Sequence, residues 1–312
     1  MADRRQLIPI IVGPTAVGKT AMAVEIARIF PITVLSADSR QIYRSLDVGT
    51  AKPTPEELSF VPHLGIDVVS PGERYSAGRF ASDAAQWIAS VPDGRQTIVV
   101  GGTGFYVRAL AEGLFREPPM DRVRREKIRR WAEHAEGLSR WATRLDPAFK
   151  GGGRQRSARA VEVAVLTGRP LSWWQRQANV ESPIIPWYVQ LTLPRPVLHK
   201  RIEDRVRRMI AAGLIEEVQK LIDEGAPPDA PGLDAVGYRE VVALLRGEIN
   251  RSELEGKITT STRRYAKRQE TWFRHQLRGA DVVLLDATEK APMLAERFAG
   301  FWEKRKVKCA SE

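Results

Sequence analysis

Short runs of β-branched and aliphatic residues alternate with stretches of helical spacing over the first hundred positions. Leu7 to Val12, Ile32 to Leu35 and Thr97 to Val100 have the composition of strands. Between them, Met22, Ile26, Ile29 and Phe30 recur at helical spacing from Lys19 until Pro31 stops the helix, and Asp83 to Ala89 reads as part of another. Strands alternating with helices predict an α/β core on a parallel sheet. From about Phe115 the texture changes. Pro118 and Pro119 precede an arginine-rich segment and Trp131, Trp141, Trp173 and Trp174, with no strand pattern until Trp187 to Leu193. The pattern predicts a helical insertion over residues 116–185 within a core formed by 1–115 and 186–312. Beyond it, Leu198, Ile202, Val206 and Met209 form one face of a helix from about Val197, which Gly213 interrupts. Pro227, Pro228 and Pro231 mark a loop, and a last, basic helix is predicted over Ile258 to Leu277. There is no internal repeat, and Gly151 to Gly153 is the one low-complexity patch.

The 312 residues, 43% of them hydrophobic, suffice for one large core or two smaller ones. Leu7 to Val12 is far short of the roughly 18 apolar residues a membrane span needs, and no small-residue cleavage site follows it, so a soluble cytoplasmic protein without a membrane partner is expected. The single cysteine, Cys309, excludes an intrachain disulfide and a cysteine-rich zinc site. A formal net charge of +11 favours a polyanionic partner, although a generically soluble basic protein would carry it too.

The segment Gly13-Pro14-Thr15-Ala16-Val17-Gly18-Lys19-Thr20 fits the phosphate-loop pattern and has the required strand before it and helix after it. Glycines let backbone N–H groups turn inward around phosphate oxygens, Lys19 adds a point charge, and the Thr20 hydroxyl is placed to hold Mg²⁺. The fold expected is therefore a P-loop NTPase-like α/β core. The second strand leads into Asp38, Ser39, Arg40 and Gln41 at the carboxyl edge of the sheet, where open α/β folds bind ligands. There Asp38 could hold Mg²⁺, act as a general base, or simply cap a turn. The third strand runs into Gly101-Gly102-Thr103-Gly104 at the same edge, offering close backbone approach and the Thr103 hydroxyl, or an ordinary strand-to-helix turn. Basic residues cluster at Arg122, Arg124, Arg125, Lys127, Arg129 and Arg130, and again at Arg263, Arg264, Lys267, Arg268, Arg274 and Arg278. Few acids offset them locally, and on the second segment Thr262, Tyr265, Gln269 and Trp272 form one stripe while the cations cover the remainder, which suits phosphate contact. Arg201, Arg205 and Arg208 share helical spacing, with Arg205 beside the apolar face, where the core could hold its guanidinium towards a site, although spacing alone favours an ordinary surface arginine.

Taken in order, these segments resemble the tRNA dimethylallyltransferase, or tRNA isopentenyltransferase, family. The matching text is GPTAVGKT at Gly13 to Thr20, SADSRQIYRSLDVGTAKP at Ser36 to Pro53, YSAGRFASDA at Tyr75 to Ala84, GGTGFYVRALAEG at Gly101 to Gly113, RAVEV at Arg159 to Val163, VGYRE at Val236 to Glu240 and YAKRQETWFR at Tyr265 to Arg274. The resemblance spans nearly the whole chain. It implies a monomer that moves a prenyl group from dimethylallyl pyrophosphate to the N6 of the adenine just 3′ of the anticodon. Lys19, the loop, Mg²⁺ at Thr20 and Arg205 would neutralise the departing pyrophosphate, Asp38 would accept the amine proton, and Thr103 would hold pyrophosphate or base. The base must leave its stack to react. The residues matching Asp38 to Gln41 would line its path, and Arg124, Gln155, Arg156, Arg159, Gly237, Tyr238, Arg239, Lys267, Arg268 and Arg274 would contact the tRNA anticodon stem-loop.

Where the family usually has Asn-Asp before its counterpart of Arg156, this chain has Gly152 and Gly153, weaker helix caps and more flexible ones. Three other readings share the phosphate loop: a small-molecule kinase using ATP, a prenyltransferase acting on free AMP or ADP, and a non-catalytic nucleotide-gated RNA-binding protein.

Overall fold

In the computed structural model, β1 (Gln6–Val12) leads through the glycine loop into α1 (Lys19–Ile29) and back into the sheet as β2 (Ile32–Ser36). After it come α2 (Pro55–Phe60), β3 (His63–Leu64), α3 (Ala77–Ala89), β4 (Gln96–Gly101) and α4 (Gly104–Glu112). Four helices follow: α5 (Arg122–His134), α6 (Leu138–Leu145), α7 (Arg154–Thr167) and α8 (Leu171–Gln177). The chain re-enters the sheet as β5 (Ile184–Thr192) and continues through α9 (Arg195–Ala211), α10 (Leu214–Asp223), α11 (Tyr238–Leu245), α12 (Arg251–Gln276), β6 (Val282–Asp286) and α13 (Ala291–Ser311). The structure describes residues 5–113, 120–177 and 182–311. The junction expected at 115 and 116, the Pro118–Pro119 pair and the side chain of Cys309 lie outside what is described.

Among the described residues the sheet has six strands, all parallel, in the order β3-β2-β4-β1-β5-β6. Every residue of β2 and Ile8 to Val12 of β1 are buried, which is why these strands read as continuous apolar runs rather than as alternating ones. β1 crosses to β2 with β4 between them, so the carboxyl ends of β1, β4 and β2 converge on one crevice. α1 buries Met22, Ala23 and Ile26 and ends at Phe30, whose extended backbone precedes Pro31.

The chain folds as two compact units, one formed by Met1–Ala111 with Pro183–Glu312 and the other by Glu112–Ser182. The second unit has its own small core of Ala132, Leu138, Ala142, Ala160 and Val161. Its α7 begins at Arg154 with Gly153 as a cap that makes no side-chain bond, while Arg156 N–H donates to the Gly153 carbonyl at 3.0 Å.

Three expectations need correction. The basic helix is not the last element, because β6 and α13 follow it. β6 hides its strand signal by sitting at the sheet edge, with Leu285 its one buried residue. α12 also starts at Arg251 rather than near Ile258, since Glu253 folds back to accept the Asn250 N–H at 2.9 Å and caps an extra two turns. The first basic cluster is not unopposed: buried Glu162 of α7 accepts from Arg125 at 3.0 Å and Arg129 at 2.8 Å and also pairs with Arg159. Burial opposes ionisation of Glu162, but the bond from Arg129 and the charges of Arg159, Arg129 and Arg125 prevail and hold its carboxyl below the usual range. Among the described residues no helix is long and apolar enough to cross a membrane.

Candidate active site at the carboxyl edge of the sheet

The glycine loop leaves β1 at Gly13, where φ is +149° and a Cβ would stand 2.8 Å from the Leu191 carbonyl oxygen. Gly18 closes the loop with φ of +110° and hands the chain to α1. These two positions require glycine because the backbone adopts a left-handed or crowded geometry. Lys19 Nζ donates to the carbonyls of Gly13 at 3.0 Å and Pro14 at 2.9 Å, so its ammonium lies over the loop. Burial pulls Lys19 down to about 8, with the Asp38 charge opposing that shift and Arg205 adding to it. The loop is braced from outside: Arg201 donates to the Val17 carbonyl at 3.1 Å, and Thr15 N–H donates to Gln269 Oε1 at 2.8 Å. Thr20 lies half-buried in the first turn of α1.

Across the crevice, β2 and β4 are drawn together at their ends. Ala37 N–H donates to the Val100 carbonyl at 2.9 Å and Thr103 N–H to the Ala37 carbonyl at 3.2 Å. A side chain at Gly101 would collide with the Ala37 carbonyl, so this approach depends on glycine. Asp38 Oδ1 accepts the N–H of Arg40 at 2.8 Å and of Gln41 at 3.4 Å, which fixes the carboxylate in a turn. Its capping role thus coexists with its place beside the cations. Arg40 is tied to the Pro231 carbonyl at 2.9 Å, and Gln41 bridges Ser36 Oγ at 2.9 Å and the Ala51 carbonyl at 3.2 Å. Thr103 Oγ1 takes the Ser39 N–H at 2.9 Å.

Arg205 reaches the site from α9, where Ile202 and Val206 anchor the helix in the core, and donates to the Thr50 carbonyl at 3.2 Å. Burial holds its guanidinium below its ordinary value, Asp38 opposing and Arg208 adding. The loop carrying Thr50 is gripped by Glu217 of α10, which accepts N–H bonds from Asp47 at 2.9 Å, Val48 at 2.8 Å and Gly49 at 3.4 Å, and the Tyr238 hydroxyl at 2.5 Å.

That last bond corrects an expectation. Tyr238 is 0% exposed and its ring packs where a Gly49 side chain would be, so it supports the loop from within and presents no surface to a tRNA. Gly237 N–H is engaged by Glu240 at 2.7 Å, and Arg239 pairs with the same carboxylate at 3.0 Å. On α12, Thr262 and Gln269 are buried and Tyr265 and Trp272 half-buried, while Lys267, Arg268 and Arg274 are exposed. Arg263 is held by Glu203. In the helical unit Arg124, Gln155 and Arg156 are exposed. Glu217 and the bridging role of Gln269 escaped the sequence reading. Gln269 had one signal, an uncharged polar residue on an otherwise core-facing stripe.

A glycine loop, a lysine and an arginine gathered around one carboxylate at the carboxyl ends of β1, β4 and β2 define a phosphate-loop α/β protein built to hold a polyanion next to a potential proton acceptor. Within that class, the chain belongs to the IPP transferase family, whose model matches residues 41–276, and an isopentenyl transferase model matches residues 6–72. It is 44% identical over 277 residues to a tRNA dimethylallyltransferase of Syntrophobacter fumaroxidans, covering 86% of this chain and 80% of that one. A Geobacter metallireducens protein of the same name is 38% identical, covering 96% of this chain and 99% of that one. The crystal structure of the tRNA isopentenylpyrophosphate transferase of Bacillus halodurans superposes with a TM-score of 0.71 at 34% identity, covering 98% of this chain and 99% of that one.

Proposed function

We propose that the chain transfers a dimethylallyl group from dimethylallyl pyrophosphate to N6 of the adenine 3′-adjacent to the anticodon in tRNA, releasing pyrophosphate. The observation that carries this reading is the grouping of Lys19, Arg205 and Asp38 at one sheet edge, within electrostatic reach of each other. The allylic C–O bond breaks with its electron pair leaving on pyrophosphate, the N6 lone pair forms the new N–C bond, and the displaced N6 proton passes to the Asp38 carboxylate. Positive charge on the prenyl carbon and negative charge on the leaving group develop together, so cations fixed on the pyrophosphate contribute most. Lys19 and Arg205 supply them, and the loop N–H groups add neutral hydrogen-bond donors. Asp38 is held in place by the Arg40 and Gln41 amides. Thr103 orients the base or the pyrophosphate.

The donor set beside the loop fits Mg²⁺. Thr20, half-buried in the first turn of α1, offers one hydroxyl oxygen beside the loop, the hard donor type that suits an ion completed by substrate oxygens and water. Thr20, with pyrophosphate oxygens, would hold the ion; when bound, it adds positive charge to the leaving group. Exposed Lys267, Arg268 and Arg274 on α12, and Arg124, Gln155 and Arg156 in the helical unit, supply contacts to the tRNA backbone.

Competition between unmodified tRNA and AMP for labelled dimethylallyl pyrophosphate tests this reading. Prenylation of tRNA in preference to AMP is expected. Preference for AMP, or phosphorylation of a small alcohol from ATP without prenyl transfer, would overturn it.

A further inference from the structure

Gln269 is 6% exposed, yet it is polar at both ends of its amide and both ends are engaged. Its Oε1 accepts the Thr15 N–H at 2.8 Å and its Nε2 donates to the Gly102 carbonyl at 2.8 Å. Thr15 belongs to the glycine loop, and Gly102 immediately precedes Thr103, whose hydroxyl is bonded to the Asp38 turn through Ser39. A single side chain from α12 therefore spans the crevice between the loop that faces the pyrophosphate and the edge that faces the accepting base. We propose that Gln269 is a positioning residue that fixes the separation of these two halves of the site. The proposal rests on the functional reading above, which gives each half its substrate.

An amide is required because one partner is a donor and the other an acceptor, and a primary amide supplies both from one planar group. The fit leaves no slack. A Cβ at Gly102 would collide with Gln269 Nε2, so glycine there is matched to the amide. The helix beneath is anchored by buried Ile258, Thr262, Ala266 and Phe273, which makes it a rigid strut. That same helix exposes Lys267 and Arg268 beside Gln269. A nucleic acid held by these cations is thereby referenced to the same strut as the pyrophosphate loop. Misplacing the halves leaves each able to bind its substrate and impairs their meeting, which is a defect in kcat rather than in KM.

The test is steady-state prenyl transfer by Gln269→Met, which keeps length and removes both hydrogen bonds, alongside Gly102→Ala, which displaces the amide from the other side. Circular dichroism and melting establish that each is folded. In a folded variant kcat is expected to fall about 30-fold or more while KM for dimethylallyl pyrophosphate and for tRNA stays within about threefold. A kcat within about threefold of wild type, or a rise in KM with kcat unchanged, overturns the inference. Should neither variant fold, amide exchange in the wild-type protein decides: the Thr15 N–H is expected to be as protected as the β1 amides, and rapid exchange overturns the bridge. If the wild-type protein itself transfers no prenyl group, the functional reading fails. Transfer by wild type with an unaffected variant removes this inference alone.

Discussion

The Thr103 hydroxyl accepts the Ser39 N–H at 2.9 Å and donates to the Ser39 hydroxyl at 3.2 Å, so the loop after β4 and the turn that carries Asp38 share one hydrogen-bonded joint. Tyr265 of α12, pushed up to about 12 by burial and then by the Asp38 charge, meets Thr103 from the other side. Replacing Thr103 by the isosteric valine removes the acceptor without changing volume. We predict that Thr103→Val lowers kcat by about 10- to 100-fold, whereas Thr103→Ser, which restores the hydroxyl, stays within about threefold. A loss in Thr103→Ser with Thr103→Val unaffected would show that the methyl group, not the hydroxyl, matters.

Lys19 sets a pH limit. Its folded value is lowered to about 8 by burial, so in the free enzyme the ammonium is charged at neutral pH and is lost as pH rises through 8. The kcat/KM for dimethylallyl pyrophosphate reports the free enzyme and is predicted to fall on the alkaline side of about pH 8. Bound pyrophosphate favours the charged form, so kcat at saturation should hold to higher pH. Lys19→Arg should abolish the alkaline limb even if it lowers activity overall, because guanidinium does not titrate there. A limb unchanged in Lys19→Arg would assign it to another group.

Tyr238 and Glu217 give a prediction about stability. Tyr238→Phe removes the hydroxyl donated to Glu217 and the 3.1 Å acceptor of the Gly49 N–H, deep in the core. Chemical denaturation should register a loss of about 1–3 kcal/mol. Since the loop so held carries the Thr50 carbonyl bonded to Arg205, kcat should also fall, while tRNA affinity remains that of wild type. A selective loss of tRNA binding would restore Tyr238 to the RNA surface.

Lys267 and Arg268 are exposed on α12. Their double replacement by alanine should weaken tRNA binding and reduce the slope of log affinity against log salt by about 1 to 2, as expected for the loss of one or two phosphate contacts. An unchanged slope would make this face merely solvated.

What could be read from the chain alone follows the range of the forces involved. α1 was legible because its apolar spacing and Pro31 act locally, and the glycine loop because its geometry is encoded in eight consecutive residues. Convergence of Asp38 and Thr103 was legible because parallel strands bring their carboxyl ends to one edge. The pairing of Glu162 with Arg125 was not, because helical spacing describes neighbours on the same helix while these residues meet across α5 and α7, 37 positions apart. The Glu217 grip on Asp47 joins residues 170 positions apart and has no local signature. Tyr238 misled for the same reason: its motif gives its neighbours in sequence but not the loop it faces.

The most direct measurement is nucleoside mass analysis of unmodified tRNA incubated with dimethylallyl pyrophosphate, Mg²⁺ and either the wild-type protein or Asp38→Asn. Asparagine keeps the oxygen that accepts the Arg40 and Gln41 amides but loses the basicity. Wild type should add one dimethylallyl group to the adenosine 3′-adjacent to the anticodon, and Asp38→Asn should do so at least about 100-fold more slowly with tRNA binding kept. No prenylated adenosine with wild type, or an equal rate with Asp38→Asn, would contradict the proposed chemistry.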